Sequence, residues 1–357
     1  MPGCPAGRWF LSCLVGAVAL AGPLAAQDLG APIPTDPAIR SGVLPNGLQY
    51  FIRRNARPAA RAELRRVVNA GSLLEDDDQL GLAHFVEHMA FNGTRHFAKQ
   101  ELIHYLESIG MRFGADLNAS TSFDQTVYQL QVPTDSAAML ATGFQILEDW
   151  AHGITFEAVE VERERGVVIE EWRGRRGADA RIQDAQWPAI FGTSRYAERL
   201  PIGTVASLQA ADSARLVRFY RDWYRPDLMA VVAVGDFDPE AIERLVHQHF
   251  RGLAMPDAPR PRPIFPVPAP EAPRTAIVTD PEALETSIGV LTILPPRDDR
   301  TVAVWRRQLI EQILARALNT RLAELSQQAD APFLGAGGGR GSLVASADAW
   351  SLSVLVP

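Results

Sequence analysis

The period of the apolar positions changes repeatedly along the chain, and each change predicts an element. Residues 42–50 read as strand, tight turn and strand, with Asn46-Gly47 supplying the backbone angles that a short hairpin needs. Residues 61–69 and 126–132 alternate with period two, as half-buried strands do. Residues 80–91, 99–109, 136–150, 157–175 and 239–250 are predicted as helices, the second stopping at Gly110. The acidic run Asp76-Asp77-Asp78 precedes the first of these helices. It suits a helix N-terminus, and as an acidic cluster it reads as a solvated turn rather than a metal site. Residues 228–234 form a continuous apolar run that ends at Gly235-Asp236, the pattern of a buried strand.

A boundary follows. Eight prolines fall within residues 256–273 and favour an extended, semi-rigid connector. Beyond it, residues 275–278, 286–294, a helix over 302–325 and residues 342–356 are predicted to form a second α+β unit. Its last strand runs to the C-terminus without a closing helix, so the unit reads as incomplete. The glycine-rich stretch Gly335 to Gly341 lacks the Gly-Lys-Ser/Thr ending of a phosphate-binding loop and is read as a flexible loop. The resulting division is a signal peptide (1–26), a lead-in (27–41), a metal-binding domain (42–253), a Pro-rich linker (254–274) and an incomplete second domain (275–357).

Composition narrows the class. A chain of 357 residues with 47% hydrophobic content can bury large cores and suits two domains. A net charge of −7 disfavours a nucleic-acid partner, which requires basic patches. Arg8, the apolar run over 10–20 and Pro23-Leu24-Ala25-Ala26 read as a secretory signal cleaved near Ala26-Gln27, which predicts a periplasmic or secreted location. Cys4 and Cys13 both fall inside it, so the mature chain has neither disulfides nor thiol chemistry. No other segment is long and apolar enough to span a membrane.

The candidate chemistry lies in the first helix. In His84-Phe85-Val86-Glu87-His88 the two imidazoles are one turn apart on one face, with Glu87 beside them. Such a pair binds Zn²⁺ through ring nitrogens, and a catalytic zinc takes three protein ligands and keeps one position open. Glu164 and Glu171, seven residues apart on the predicted helix over 157–175, share a face. One can ligate while the other orients a histidine. Glu170 and Glu162 project off that face. Glu87 is placed to take a proton from a water that the metal acidifies, and to pass it to a leaving amine. His96, His104, His152, His247 and His249 show no matching carboxylate pattern. Trp150, Trp172, Trp187 and Trp223 are expected in the core.

The run Gly81-Leu82-Ala83-His84-Phe85-Val86-Glu87-His88-Met89-Ala90-Phe91-Asn92-Gly93-Thr94 resembles the inverted zinc motif of the pitrilysin/insulinase (M16) family of zinc peptidases. Phe113-Gly114-Ala115-Asp116-Leu117-Asn118-Ala119 resembles that family's substrate-side strand, and Glu164 to Trp172 its second motif. Tyr220 to Pro226 and Val234-Gly235-Asp236-Phe237 match as well, so the likeness runs from Gly42 to the C-terminus, nearest to the bacterial exported branch. The resemblance implies α+β two-layer sandwich domains, in which an antiparallel sheet packs against helices. It implies His84, His88 and Glu171 as zinc ligands, Glu87 as catalytic base and Glu164 as supporting carboxylate. Asn118 and Ala119 would align a peptide or unfolded polypeptide segment as an added strand. Family members pair two such halves, which points to a second half or subunit as partner. A non-catalytic or partner-dependent peptide-binding subunit on the same fold is the alternative.

Overall fold

Six alternating segments between residues 39 and 235 pair into one sheet. They are β1 (Ile39–Val43), β2 (Gln49–Arg54), β3 (Arg61–Val68), β4 (Leu117–Thr121), β5 (Thr126–Pro133) and β6 (Met229–Gly235), in the spatial order β1-β2-β6-β3-β5-β4. The computed structural model describes residues 28–112 and 114–356; the expected signal peptide over 1–26, Gln27 and Phe113 lie outside them. Every pairing in this sheet is antiparallel except that of β2 with β6. β6 arrives late in sequence and slots between β2 and β3, a non-local pairing that a local pattern does not encode. Asn46 and Gly47 make the predicted hairpin turn, and Gly47 takes φ 91°, where a side chain would be strained.

One face of the sheet is buried. Tyr50, Val231, Arg66, Tyr128 and Ala119 lie side by side in register across five strands. The helices of this unit are α1 (Leu82–Met89), α2 (Glu101–Ser108), α3 (Ala137–His152), α4 (Ala158–Gly174), α5 (Ala178–Phe191), α6 (Val205–Ala210), α7 (Ser213–Trp223) and α8 (Pro239–Phe250), of which α1, α3 and α8 pack on its strands. α1 packs against β4, β5, α4 and α7, while α3 packs against β3, β5 and α8. Helices α5 to α7 are not among the predicted elements, although α7 buries Leu216, Phe219 and Trp223 at helical spacing behind the Asp212 cap and was open to that reading. α5 was not: it carries Pro188 and buries only Phe191 fully.

α1 is apolar on nearly every side, with Leu82, Ala83, Phe85, Val86 and Met89 buried. Its first turn takes no help from the acidic run ahead of it. Glu75 caps it instead, accepting from Gly81 N at 3.0 Å and Ala83 N at 2.8 Å. Burial pushes the Glu75 carboxyl up to about 8, while those two N–H donors and the Arg199 guanidinium pull the other way. Asp76, Asp77 and Asp78 pair outward with Arg260, Arg199 and Arg218. Gly81 and Gly203 meet backbone to backbone, both at positive φ, because a Cβ on Gly203 would come within 2.6 Å of Gly81 Cα. That close approach brings Ile202 over the start of α1.

Arg66 is fully buried on β3, and its three guanidinium nitrogens have no hydrogen-bond partner among the described residues. It lies 4.7 Å from the Tyr128 ring centroid and 5.0 Å from that of Tyr224, so two aromatic faces solvate the charge. Trp150 and Trp223 are core residues as expected. Trp172 and Trp187 are only half-buried, the first beside the Arg176 guanidinium and the second stacked on Phe191. His152 and His249 do have a carboxylate partner: Glu148 joins them at 3.3 and 2.7 Å and links α3 to α8. His96 pairs with Asp149 at 2.7 Å, and His104 and His247 are exposed.

A second, three-stranded sheet comprises β7 (Thr286–Leu294), β8 (Gly335–Val344) and β9 (Ala347–Val356) in the order β7-β9-β8, all antiparallel, with α9 (Val302–Ser326) packed on β8. The glycine-rich stretch expected to be a flexible loop is therefore strand. Asn319 of α9 bonds both the N–H and the carbonyl of Gly338, at 2.8 and 3.1 Å, and a Cβ at Gly338 would come within 2.4 Å of Leu352 Cδ2 on β9. Residues 342–356 are split between β8 and β9 by a turn at Ala345-Ser346, and residues 275–278 take no regular structure. The proline-rich stretch is extended but pinned, with Arg260 on Asp76 and Asp222, and Arg262 Nε on Asn69 O. The two sheets touch at their turns. Ala345 N donates to Asp124 Oδ2 at 3.3 Å, and Tyr196 Oη donates to the same carboxylate at 2.8 Å.

Candidate metal centre

The two histidines stand one turn apart on α1, their ring centroids 4.7 Å apart and their planes at 81°. α4 crosses them and presents Glu164 and Glu171 from a single face, as the seven-residue spacing predicts. Glu171 Oε2 lies 3.1 Å from His88 Nε2 and 3.7 Å from His84 Nε2. His88 Nδ1 lies 2.8 Å from Glu164 Oε1, so Glu164 can hold a proton on Nδ1 while Nε2 faces Glu171. Glu170 and Glu162 point away, paired with Arg173 and Arg165.

These positions fit one small cation. A ligand atom from each of His84, His88 and Glu171 lies within 4.8 Å of the other two. Zinc bonds of about 2.0–2.2 Å put tetrahedral ligand atoms roughly 3.4 Å apart, and the measured 3.1 and 3.7 Å bracket that spacing. Donor chemistry agrees, since two imidazoles and one carboxylate are a common catalytic zinc set. Burial, and then the His88 charge, lowers His84 to about 4 and keeps it neutral. Burial opposes charge on His88 as well, but its bonds to Glu164 and Glu171 prevail and raise it to about 9. Its bond to His88 draws Glu171 down to about 2. The shifts of His88 and Glu171 favour positive charge at this point, and that of His84 leaves its ring neutral.

Glu87 is beside this trio but not among its converging atoms. The carboxyl is buried, which pushes its pKa up, and Oε2 accepts from Thr121 Oγ1 at 2.6 Å. Asn118 and Ala119 are on β4, the edge strand of the large sheet, paired on one side with Gln129 and Tyr128 of β5. The Ala119 N–H is taken by its neighbour's side chain, Asn118 Oδ1, at 2.9 Å. Together these residues line a cleft of about 500 Å³, whose apolar wall is Phe91, Val167, Pro201 and Ile202. Arg175 is at its rim and bonds Glu171 Oε1 at 2.5 Å. Thr121, Arg175 and the Pro201-Ile202 corner escape the sequence reading. Thr121 alone carried a local signal, since it follows Ala119 by two residues and so shares its side of the strand.

Residues 50–183 match the family model for insulinase (peptidase family M16), and residues 210–349 match the model for the peptidase M16 inactive domain. The zinc protease PQQL-like protein of Arabidopsis thaliana is 40% identical over 293 residues, covering 82% of this chain and 31% of that protein. The probable zinc protease PqqL of Escherichia coli (strain K12) is 35% identical over 336 residues, covering 94% of this chain and 36% of that protein. The chain thus spans about a third of the length of the curated relatives it matches. The crystal structure of the first half of the periplasmic protease PqqL from Escherichia coli superposes with a TM-score of 0.84 at 33% identity, over 92% of this chain and 70% of that one. No helix among the described residues is long and apolar enough to cross a membrane.

Proposed function

The chain belongs to the insulinase (M16) family of peptidases, and from that premise we propose that it carries the metal centre of a zinc metalloendopeptidase acting on peptides or unfolded polypeptide segments. The observation that supports this most directly is the convergence of His84, His88 and Glu171 on one point, with the Glu87 carboxyl buried beside it. His84, His88 and Glu171 would hold Zn²⁺. Zinc bound there would supply Lewis acidity, polarising a scissile carbonyl and making water easier to deprotonate. Glu87 takes the proton from that water and passes it to the departing amine. Glu164 holds the His88 Nδ1 proton and so keeps Nε2 directed at the metal. Asn118 and Ala119 offer the open edge of β4 to a peptide, which pairs as a further strand and must be extended to do so. Asn118 would have to release the Ala119 N–H as the peptide pairs.

The location proposed is exported, periplasmic or secreted. Zinc binding is proposed for this chain by itself. Cleavage is proposed for the protein that supplies the remaining two thirds of its relatives' length, as a second half or as a partner subunit. That same length difference favours a second reading, a peptide-binding subunit without catalysis of its own.

The experiment is metal analysis followed by a peptide-cleavage assay, on the chain alone and with the complementing half. One zinc per chain is expected. Chelation abolishes cleavage, and added zinc restores it. A chain that binds no zinc, or cleavage indifferent to chelation, would overturn the metallopeptidase reading. Zinc without turnover in either format would favour the binding subunit. Glu164 makes a finer prediction: replacing it weakens zinc binding about 10–100-fold. Glu164→Gln, which keeps an acceptor for His88 Nδ1–H, falls at the lower end, and Glu164→Ala at the upper. Competition with a chromophoric chelator measures both, and unchanged affinity in Glu164→Ala would remove the supporting role.

A further inference from the structure

We propose that Thr121 is a positioning residue for Glu87, fixing which of its two carboxylate oxygens faces the metal centre; this rests on the reading of Glu87 as the base. Thr121 Oγ1 lies 2.6 Å from Glu87 Oε2, and among the described residues it is the one side chain that donates to that carboxylate. Glu87 is 7% exposed, so water cannot readily take the place of the missing donor. With Oε2 held in this bond, Oε1 is left to receive a proton. Without the hydroxyl, the carboxylate is free to turn about its last torsion, a broad and weakly restrained one.

The neighbours of Thr121 reserve its proton for Glu87. Thr126 is paired with Thr121 across β4 and β5, and their hydroxyls are 3.4 Å apart. Thr126 donates to the Ala70 carbonyl at 3.0 Å, and the Glu87 carboxylate at 2.6 Å is a nearer and stronger acceptor for the Thr121 proton than the Thr126 hydroxyl. The backbone that carries Thr121 is also fixed. The following turn is closed by Ser122 N donating to Gln125 O at 2.8 Å, and Phe123 in that turn packs edge-on against Tyr196. Ala119 is two residues before Thr121, about 6.7 Å along the same strand. The strand proposed to receive the peptide backbone therefore also aims the base, and both are referenced to one rigid element.

The test uses the zinc-loaded, active protein that contains this chain, with three variants at position 121. Thr121→Val replaces the hydroxyl by a methyl group. Thr121→Ala and Thr121→Ser share the missing methyl and differ only in the hydroxyl, so their ratio isolates it even where valine disturbs folding. Thr121→Val and Thr121→Ala are expected to keep one zinc and a KM within about twofold of the parent, while kcat falls about 10–100-fold, the worth of one hydrogen bond to a charged group. Thr121→Ser is expected to recover kcat to within about threefold. A purely structural threonine would instead lower melting temperature and zinc content together, with serine no better than alanine, and that result overturns the proposal. So does a kcat for Thr121→Val and Thr121→Ala within twofold of the parent. If Glu87→Gln is inactive in the same assay, that second result leaves Glu87 as the base and removes only Thr121; if Glu87→Gln is active, the underlying reading falls with it.

Discussion

Glu87→Gln is expected to retain its zinc and to lose peptide cleavage by about 10²–10⁴-fold, the range for a positioned general base. The amide has the shape of the carboxylate, so the buried site and the packing of α1 are preserved. Its carbonyl can still accept from Thr121 at the place of Oε2. What then faces the metal centre is an NH₂ group, which donates and cannot take a proton. The converging atoms belong to His84, His88 and Glu171, so the metal loses no ligand. Paired measurement of kcat and bound zinc decides the matter. Undiminished cleavage would strip Glu87 of its role, and loss of zinc would make it a ligand.

Trp150→Ala is expected to cost about 3–5 kcal/mol in denaturant unfolding, as truncation of a buried tryptophan does. Trp150 is fully buried, stacked on Tyr128 at 5.1 Å and edge-on to Phe91 at 5.5 Å. Its indole N–H also donates to the Ala90 carbonyl at 3.0 Å, one of the acceptors left open where α1 ends. The substitution therefore opens a cavity beneath the metal helix and orphans a buried carbonyl. Trp150→Phe isolates the second effect, because most of the ring volume stays and the orphaned acceptor costs about 1–3 kcal/mol. A loss under 1 kcal/mol for Trp150→Ala would mean that α1 is held chiefly by other contacts.

The convergence of His84, His88 and Glu171 was legible because its information is local. His84, Glu87 and His88 share one turn of one helix, and Glu164 and Glu171 repeat at two turns of another, so helical geometry alone groups them. What escaped was whatever depends on distant chain. β6 enters between β2 and β3 in parallel with β2, and nothing in its own apolar run says where it pairs. Glu75 caps α1 from beyond the first turn, displacing the nearer Asp76, Asp77 and Asp78, because it alone is buried against the helix end. The glycines of β8 read as a loop because glycine is a poor strand former, and the pairing with β9 and the bonds to Asn319 that hold them as a strand exist only after folding. His249 finds Glu148 across two helices. His152 and Glu148, by contrast, are four residues apart on α3, and that pairing was available to a helical reading.

The bonds at Asp124 make the two sheets mechanically continuous at one point. Asp124 is three residues past Thr121, in the turn that ends β4, and its carboxylate holds both Tyr196 and the backbone of Ala345 at the tip of the β8–β9 hairpin. A displacement of that hairpin has two courses. Either it extracts Ala345 N–H from a carboxylate that Tyr196 continues to hold, or it keeps the bond and pulls the turn with it. On the second course the load passes through Asp124 into the end of β4, and reaches the hydroxyl beside Glu87 before it reaches His84, His88 or Glu171.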